Sequence, residues 1–351
     1  MTIKQHRVPV RLVLAVLLAC LALSLAACKK QTTTKLPPVT SEPKVTQAPQ
    51  HLWPLTGLPA AANAPIDRYP LSVKIENLKV ARPQSGLNSA DIIYETMVEG
   101  GITRFNCLFD SQIPDTVGPV RSARLSDFWI VPQYQGLLLY SGANSQVASG
   151  LKQRGLNKLS ANTLGSLYHR VSGKKAPHNL YSSLSQAYAV AQKAGVAISA
   201  SGTRPGPVFG ALASGETTLP ATSISVPFST ITHAAWTWDS ASGHYLRTTD
   251  GQVHTDALTG AQVWATNVVV MWATYTTESH LDPAGNVTYD TTLGGSGKAA
   301  IFRDGERIDG TWSATATTPP TFTDARGAQI PLAPGRTWFE VPETGVAVVS
   351  Q

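Results

Sequence analysis

The chain has 351 residues, of which 14% are charged and 42% are hydrophobic, and its formal net charge is +6 at pH 7. Three of the positive charges, Lys4, Arg7 and Arg11, lie in the first 27 residues, which contain no acidic residue. The rest of the chain therefore carries a formal charge of +3, which is too small for its length to indicate a nucleic-acid partner. The low charged fraction is more typical of an extracytoplasmic protein than of a cytosolic one.

A basic segment followed by an apolar run predicts an N-terminal signal peptide over residues 1–27. Its end, Leu25-Ala26-Ala27-Cys28, resembles the bacterial lipobox, in which the cysteine is acylated after cleavage. The alternatives are an ordinary signal peptide or a transmembrane helix, although an apolar run of about sixteen residues is short for a span. The sequence thus predicts a lipid anchor on Cys28 that holds the protein at the outer face of the bacterial cytoplasmic membrane. Residues 28–50 lack apolar periodicity, which predicts a disordered tether.

About 300 residues remain, and this length favours two domains. We predict an N-terminal α+β domain with a sheet and several helices over residues 51–205, a linker rich in Gly, Pro, Ser and Thr over 206–222, and a β-rich domain over 223–351. The predicted fold class is therefore α+β. Cys107 is the only cysteine expected in the folded part, which excludes a disulfide framework. Tryptophans on the C-terminal strands are predicted to be core residues, with a carbohydrate platform as the alternative.

Two predicted strands, at 91–99 and 102–110, flank the pair Gly100-Gly101, which favours a two-residue hairpin turn. This register places alternate side chains on opposite faces of the hairpin. The face predicted to be core contains Tyr94, Thr96, Val98, Thr103, Phe105 and Cys107. The other face contains Glu95, Glu99 and Arg104. That second face is either part of a functional site or a solvated sheet surface with a cross-strand ion pair.

A second group of arginines follows the hairpin. Gly118-Pro119 is typical of a helix start, which would place Arg121 and Arg124 on one face of the first turn. The free N–H groups of a helix N-terminus and two arginines would together bind a carboxylate or a phosphate. The alternative is that the arginines form structural ion pairs with Asp91, Glu95 or Glu99.

The loop at 176–179 contains His178 and Asn179 and precedes a predicted helix at 183–194. His178 is a candidate general base, with Glu95 or Glu99 as the acid, and the alternative is a hydrogen-bonded structural histidine. The sequence contains no Gly-x-Ser-x-Gly motif, and the glycine-rich segment 294–298 lacks the Ser/Thr that a P-loop needs after its lysine. The histidines lack metal-ligand spacing, so neither a metal nor a cofactor is predicted.

Eight motifs in the same order connect the chain to a known family. They are PLTGLP (54–59), ARPQSGL (81–87), EGGITRF (99–105), GPVRSAR (118–124), APHNLY (176–181), GKAAIFRDG (297–305), GTW (310–312) and PGRTW (334–338). Together they resemble the YerB-like bacterial lipoproteins. The resemblance implies an extracytoplasmic lipoprotein with an N-terminal α+β domain and a β-rich C-terminal domain. It implies no catalytic residue, because the family has no established activity.

The arginine-rich motifs define one predicted ligand site. Its predicted ligand-binding residues are Arg82, Arg104, Arg121, Arg124, His178 and Asn179. We predict a non-enzymatic envelope protein that binds an anionic ligand or partner. The candidates are a peptidoglycan stem carboxylate, a teichoic or lipid phosphate, and an acidic surface of another envelope protein. The alternatives are a cell-wall hydrolase or transferase that uses His178 with Glu95 or Glu99, and a structural partner of wall-synthesis enzymes.

Overall fold

The structure is a computed structural model, and it describes residues 51–202, 204–281 and 285–351. The predicted signal peptide, the lipidation site Cys28 and the predicted tether lie outside the described residues. The described residues belong to one compact unit. No helix in this part of the chain is long and apolar enough to cross a membrane.

Within the described residues, the structure has three α-helices, α1 (Asp127–Gln133), α2 (Ser145–Gln153) and α3 (Leu184–Lys193). The strands described in the first half are β1 (Leu71–Glu76), β2 (Ile92–Met97), β3 (Thr103–Phe109), β4 (Leu137–Tyr140), β5 (Leu159–Ser160), β6 (Tyr168–Arg170) and β7 (Leu180–Ser182). Those described in the second half are β8 (Leu219–Pro220), β9 (Ser223–Pro227), β10 (His233–Asp239), β11 (His244–Thr249), β12 (Gln252–Val253), β13 (Trp264–Ala265), β14 (Asn267–Met271), β15 (Thr274–Leu281), β16 (Val287–Thr292), β17 (Gly295–Arg303), β18 (Glu306–Ala314), β19 (Thr321–Thr323), β20 (Thr337–Val341) and β21 (Val349–Ser350). The predicted α+β class with a β-rich C-terminal part is confirmed.

Eleven of the described strands form one large sheet. Ten follow the order β19-β18-β17-β14-β20-β2-β3-β1-β4-β5, and β8 pairs with β18. Strand β20 lies in the middle of this sheet and pairs in parallel with β14 on one side and β2 on the other. The sheet therefore combines strands from both sides of the predicted linker, which itself contributes β8. The division into domains at 206–222 stays a prediction.

Both faces of the large sheet are covered. On one face, Ile130 of α1 packs in an apolar cluster with Tyr94 and Phe339. The other face packs against a second sheet, in the order β12-β11-β10-β9-β21 with β13 beside β11. Trp236 of β10 and Trp338 of β20 meet between the two sheets, with ring centroids 5.1 Å apart. Both are buried, as predicted for strand tryptophans.

The alternation of apolar and polar residues at 71–76 predicts a half-buried strand. Strand β1 has these bounds, but it is buried on both faces. The prediction of a half-buried strand is wrong, because α1 covers the polar side. There, Lys74 Nζ lies 2.9 Å from Asp127 Oδ1, and Ser72 Oγ donates to Asn106 Oδ1 at 2.8 Å. Alternation in β1 therefore marks a buried polar layer instead of a solvated surface.

The β2–β3 hairpin has a register one residue away from the predicted one. Glu95 lies opposite Phe105, and Thr96 lies opposite Arg104. The cause is the turn, which comprises the three residues Glu99–Gly101 and not the glycine pair alone. A shift of one residue moves every side chain of a strand to the opposite face relative to its partner. Glu95 and Arg104 therefore lie on opposite faces of the sheet, and the predicted face assignment is wrong.

The helix predicted to begin at Gly118 does not form, and α1 begins only at Asp127. The preceding segment is extended because its backbone bonds to neighbouring strands. Val120 N donates to Leu180 O at 2.6 Å, and Arg121 N donates to Lys74 O at 2.9 Å. The predicted seat for an anion at a helix N-terminus is therefore wrong.

Candidate functional site

Arg104 of β3 is the centre of a group of charged side chains at the end of β1. On the sheet face that packs against α1, Arg104 lies between Glu76 of β1 and Thr96 of β2. Its Nη1 donates to Ser122 O at 2.9 Å, which fixes the segment after β3 beside it. This group contains four of the predicted site residues. The arginine cluster, as we name it, comprises Arg104, Arg121, Arg124 and His178.

Arg104 is a buried cation that forms no ion pair with a carboxylate of the described residues. Only 5% of the residue is exposed, and its Nε has no hydrogen-bond partner in the described part of the chain. Burial, and then the nearby charge of Arg124, lower the pKa of Arg104 to about 9. The guanidinium is still protonated at pH 7. A buried charge without an opposite charge is costly, so Arg104 lowers the stability of the fold.

Arg121 and His178 share the carboxylate of Glu76, which is buried. Arg121 Nε lies 3.3 Å from Glu76 Oε1, a distance of an ion pair without hydrogen-bond geometry. His178 Nδ1 lies 3.0 Å from both carboxylate oxygens of Glu76. The side chains of Arg121 and His178 are each 21% exposed, so both reach the protein surface.

Arg124 forms an ion pair with Glu99. Its Nε and Nη2 donate to Glu99 Oε2 at 2.8 Å and 2.7 Å. The predicted alternative, a structural ion pair, is therefore confirmed for this arginine. Glu76 and Glu99 together provide two carboxylates for three arginines, so Arg104 has no carboxylate partner of its own.

Arg82 and Asn179 lie outside the arginine cluster and have partners of their own. Arg82 Nη1 lies 2.6 Å from Asp250 Oδ2, and its Nε donates to Asn77 Oδ1 at 3.1 Å. Asn179 Oδ1 accepts a hydrogen bond from Arg170 Nη1 at 2.6 Å. The sequence thus grouped six residues of which the structure brings four together.

Glu95 belongs to a second buried group on the other face of the large sheet. Arg247 Nη2 lies 2.6 Å from Glu95 Oε2, and Arg247 Nη1 lies 2.7 Å from Glu340 Oε1. All three side chains are fully buried. We name these three residues the Arg247 cluster. The prediction that Glu95 shares a site with Glu99 and Arg104 is wrong, because the shift in the hairpin register turns it away.

Sequence reasoning missed Glu76 as the partner of the arginine cluster. The alternation of β1 had assigned its carboxylate to a solvated face, where an ion pair contributes little. The alternation of LSVKIE (71–76) gave no sign that the carboxylate of Glu76 is buried. For Arg247 no local signal exists, because Glu95 is 152 residues away along the chain.

Cys107 is the one cysteine among the described residues. Cys107 is fully buried, as predicted, and burial raises the pKa of its thiol well above the ordinary value. A buried neutral thiol is a packing residue and not a nucleophile. Across the described ranges, no group of three or more His, Cys, Asp and Glu side chains could hold a metal ion.

Comparisons with known proteins agree with one another. Family models described as "Protein of unknown function (DUF3048)" match residues 55–197 as the N-terminal domain and 224–339 as the C-terminal domain. The chain is 31% identical over 306 residues to "Putative lipoprotein YerB" of Bacillus subtilis (strain 168), and the match covers 85% of this chain and 88% of that protein. The crystal structure of the YerB protein from Bacillus subtilis matches with a TM-score of 0.73 at 28% identity, over 85% of this chain and 99% of that one. These matches confirm the resemblance that the eight motifs indicate.

Proposed function

The chain belongs to the DUF3048 family, and from that premise we propose that it is an extracytoplasmic lipoprotein that binds an anionic group of the cell envelope at the arginine cluster. The family description assigns no activity. The proposal for the ligand therefore rests on the side chains of this protein.

Two observations support the lipid anchor. The relative from Bacillus subtilis is named a lipoprotein, and Leu25–Cys28 of this chain has the lipobox pattern. Lipid on Cys28 would hold the folded unit close to the outer face of the cytoplasmic membrane. Peptidoglycan and other envelope proteins would then be within its reach.

Arg104 carries the proposal for binding. A buried and protonated arginine without a carboxylate partner costs stability, and no packing role of this side chain requires the charge. A carboxylate or phosphate that reached Arg104 would provide the missing opposite charge. Arg121 and Arg124 flank it at the surface and would add donors on either side.

The charge balance of the arginine cluster favours a ligand with a negative charge. Glu76 and Glu99 are already engaged by Arg121 and Arg124, so they do not compete for Arg104. The ligand class that fits is an exposed carboxylate or phosphate group, such as those of peptidoglycan and its attached polymers. A guanidinium binds both groups with two parallel hydrogen bonds.

Replacement of Arg104 by methionine should weaken binding to the wall without weakening the fold. We expect at least about a tenfold loss of affinity for purified peptidoglycan sacculi, because one charge-assisted contact disappears. The free energy of unfolding should stay within about 1 kcal/mol of the wild-type value, since removal of a buried unpaired charge offsets loss of the hydrogen bond to Ser122 O. Co-sedimentation of the full-length chain in detergent micelles with sacculi measures the first quantity, and urea denaturation measures the second.

Arg326→Met is the matched control, because it removes one positive charge from an exposed arginine elsewhere on the surface. Its affinity should remain that of the wild type. Sacculi stripped of phosphate-containing polymers distinguish a carboxylate from a phosphate ligand. An Arg104→Met protein that binds sacculi as tightly as the wild type, or that loses several kcal/mol of stability, would overturn the proposal.

The contact between His178 and Glu76 favours one second candidate function, hydrolysis of a cell-wall bond. A carboxylate that binds Nδ1 of a histidine orients the ring and stabilises its protonated form. Nε2 could then act as a general base towards a water molecule. In this function Glu76 orients the base, which is a different role from that of the acid suggested by the sequence for Glu95 or Glu99.

Incubation of the wild-type protein with purified sacculi separates the two functions. For a binding protein, we expect no soluble muropeptides above the buffer control, as measured by chromatography of the supernatant. His169→Ala is the matched control for His178→Ala, because His169 is an exposed histidine of β6. Release that disappears in His178→Ala and persists in His169→Ala would establish hydrolysis in place of simple binding.

A further inference from the structure

A cavity of about 620 Å³ opens in the large sheet where β14 and β17 separate. Strand β14 pairs with β17 only from Ala299 onwards, whereas β18 pairs with the whole of β17. The first residues of β17 therefore have an open edge, beside the point where the chain leaves β14 at Trp272. We name this space the fork cavity, and its lining includes Trp272, Thr292, Ser296, Lys298, Arg307 and Thr344. It shares no lining residue with the arginine cluster.

The wall opposite β17 is held in place by hydrogen bonds. Thr344 N donates to Ala273 O at 2.9 Å, and Trp272 Nε1 donates to Val346 O at 2.8 Å. Segment 344–348, which forms this wall, is thus fixed to the end of β14. The cavity has a volume within the range of small-ligand sites, which is roughly 300–1,000 Å³.

Gly297 keeps the floor of the cavity open. A Cβ atom at this position would lie 2.6 Å from Trp312 Nε1 and 2.9 Å from Trp272 O, which is closer than atoms approach. Only glycine therefore fits without displacement of the two tryptophans. As a result, Trp312 and Trp272 pack directly against the backbone of β17, and Ser296 and Lys298 provide the β17 side chains that line the cavity.

The fork cavity has a positive charge and no acidic lining residue. Arg307 is already bound, since its Nη2 donates to Asp309 Oδ1 at 2.7 Å. Lys298 is exposed, and its ammonium lies 4.9 Å from the ring centroid of Trp272. It forms no ion pair with any acidic residue that the structure describes. Lys298 is therefore the cation that remains available to a ligand.

Hydroxyl groups provide the other polar contacts. The side chains of Thr274, Thr292 and Ser296 line the cavity, and none of them bonds to another residue in the described ranges. A hydroxyl both donates and accepts hydrogen bonds, and so does each hydroxyl of a sugar. On the open edge of β17, Lys298 O accepts a hydrogen bond from Trp272 N at 3.1 Å, and the residues before Lys298 add backbone groups that β18 does not use.

We propose that the fork cavity binds a saccharide that carries one negative charge. The free hydroxyls match a polyhydroxylated ligand, and Lys298 matches a single carboxylate or phosphate on it. The absence of acidic lining residues disfavours a ligand with an ammonium group. This site is independent of the arginine cluster, so either one can fail without the other.

The test compares one neutral sugar with two acidic sugars, of which one carries a carboxylate and the other a phosphate. Saturation-transfer difference NMR on the full-length chain in detergent micelles measures the affinity for glucose, glucuronate and glucose 6-phosphate. Glucuronate or glucose 6-phosphate should bind about tenfold more tightly than glucose, since one charge-assisted contact is added. The stronger of the two shows whether the natural group is a carboxylate or a phosphate.

Variants of Lys298 decide the assignment. Lys298→Met should make the charged and the neutral sugars equal in affinity, whereas Lys298→Arg should keep the preference. Lys152→Met, at an exposed lysine of α2, is the matched control and should behave as the wild type. The proposal is overturned if the wild type binds none of the sugars, if it binds glucose as tightly as both acids, or if the preference survives in Lys298→Met.

Discussion

Replacement of Arg247 by methionine is expected to lower the free energy of unfolding by about 3–5 kcal/mol. In the wild-type chain this guanidinium lies 2.6 Å from Glu95 and 2.7 Å from Glu340, and no side chain of the three reaches solvent. Methionine is similar in length but uncharged, so the change leaves two buried carboxyl groups without a cation. Urea denaturation followed by tryptophan fluorescence measures the loss.

Two further variants show whether charge is the cause. Arg326→Met removes an exposed arginine and should change stability by no more than about 0.5 kcal/mol. Combining Arg247→Met with Glu95→Gln and Glu340→Gln should recover part of the lost stability, because no residue of the Arg247 cluster is then charged. If the triple variant is no more stable than Arg247→Met, the lost packing of Arg247 on the Trp338 ring, 4.3 Å away, explains the effect instead.

The contribution of Glu340 to the stability of the folded chain is expected to fall as the pH rises from about 4.5 to 8. Burial, followed by the neighbouring charge of Glu95, raises the pKa of Glu340 from 4.5 to about 8. Across this range the folded chain keeps a proton that the unfolded chain has lost. The contribution is therefore complete below pH 4.5 and is lost by pH 8, with a slope of up to about 1.4 kcal/mol per pH unit.

Glu340→Gln tests this contribution, because glutamine is neutral at every pH. In the variant, the fall of the unfolding free energy with rising pH should be less steep by up to about 1.4 kcal/mol per pH unit, which is the slope that one proton gives. Part of the slope should persist, since burial also raises the pKa of Asp91, to about 7. Glu343→Gln, at an exposed position two residues beyond β20, should keep the full slope. An unchanged slope in Glu340→Gln would show that Glu340 is ionised in the folded chain.

Structural features that depend on residues close together in the sequence were predicted well. The pair Asp304-Gly305 favours a two-residue turn, and the structure has one there, since Arg303 pairs with Glu306 and both turn residues have positive φ. Helix α3 begins and ends within one residue of the predicted range, 183–194. Turn and helix-end preferences depend on local backbone angles, which the local sequence sets.

Structural features that depend on residues far apart in the sequence were predicted poorly. The N–H groups after Gly118 bond to β1 and to Leu180, and these partners replace the helix that Gly118-Pro119 favours. The polar side of β1 is covered by α1, which a pattern of alternation cannot indicate. In the hairpin, one additional turn residue, Glu99, was enough to exchange the faces of Glu95 and Arg104.

The candidate site was predicted in part for the same reason. Clustering along the chain identified Arg104, Arg121 and Arg124, because all three lie close together in sequence as well as in space. The carboxylates that pair with Arg121 and Arg124 come from β1 and from the hairpin turn. The sequence therefore indicated which cations to consider, and only the three-dimensional contacts separate the paired arginines from the unpaired one.

The position of β20 has a consequence for biosynthesis. Ribosomes make β2 long before β20, yet β20 fills the place beside β2 in the middle of the large sheet. Until Thr337–Val341 has been made and has reached the folding compartment, β2 has an unpaired edge of the kind that pairs with other chains. A chain that stops before Thr337 keeps this edge open, so truncated products are expected to be targets for chaperones and proteases, while chains that extend past Val341 escape them.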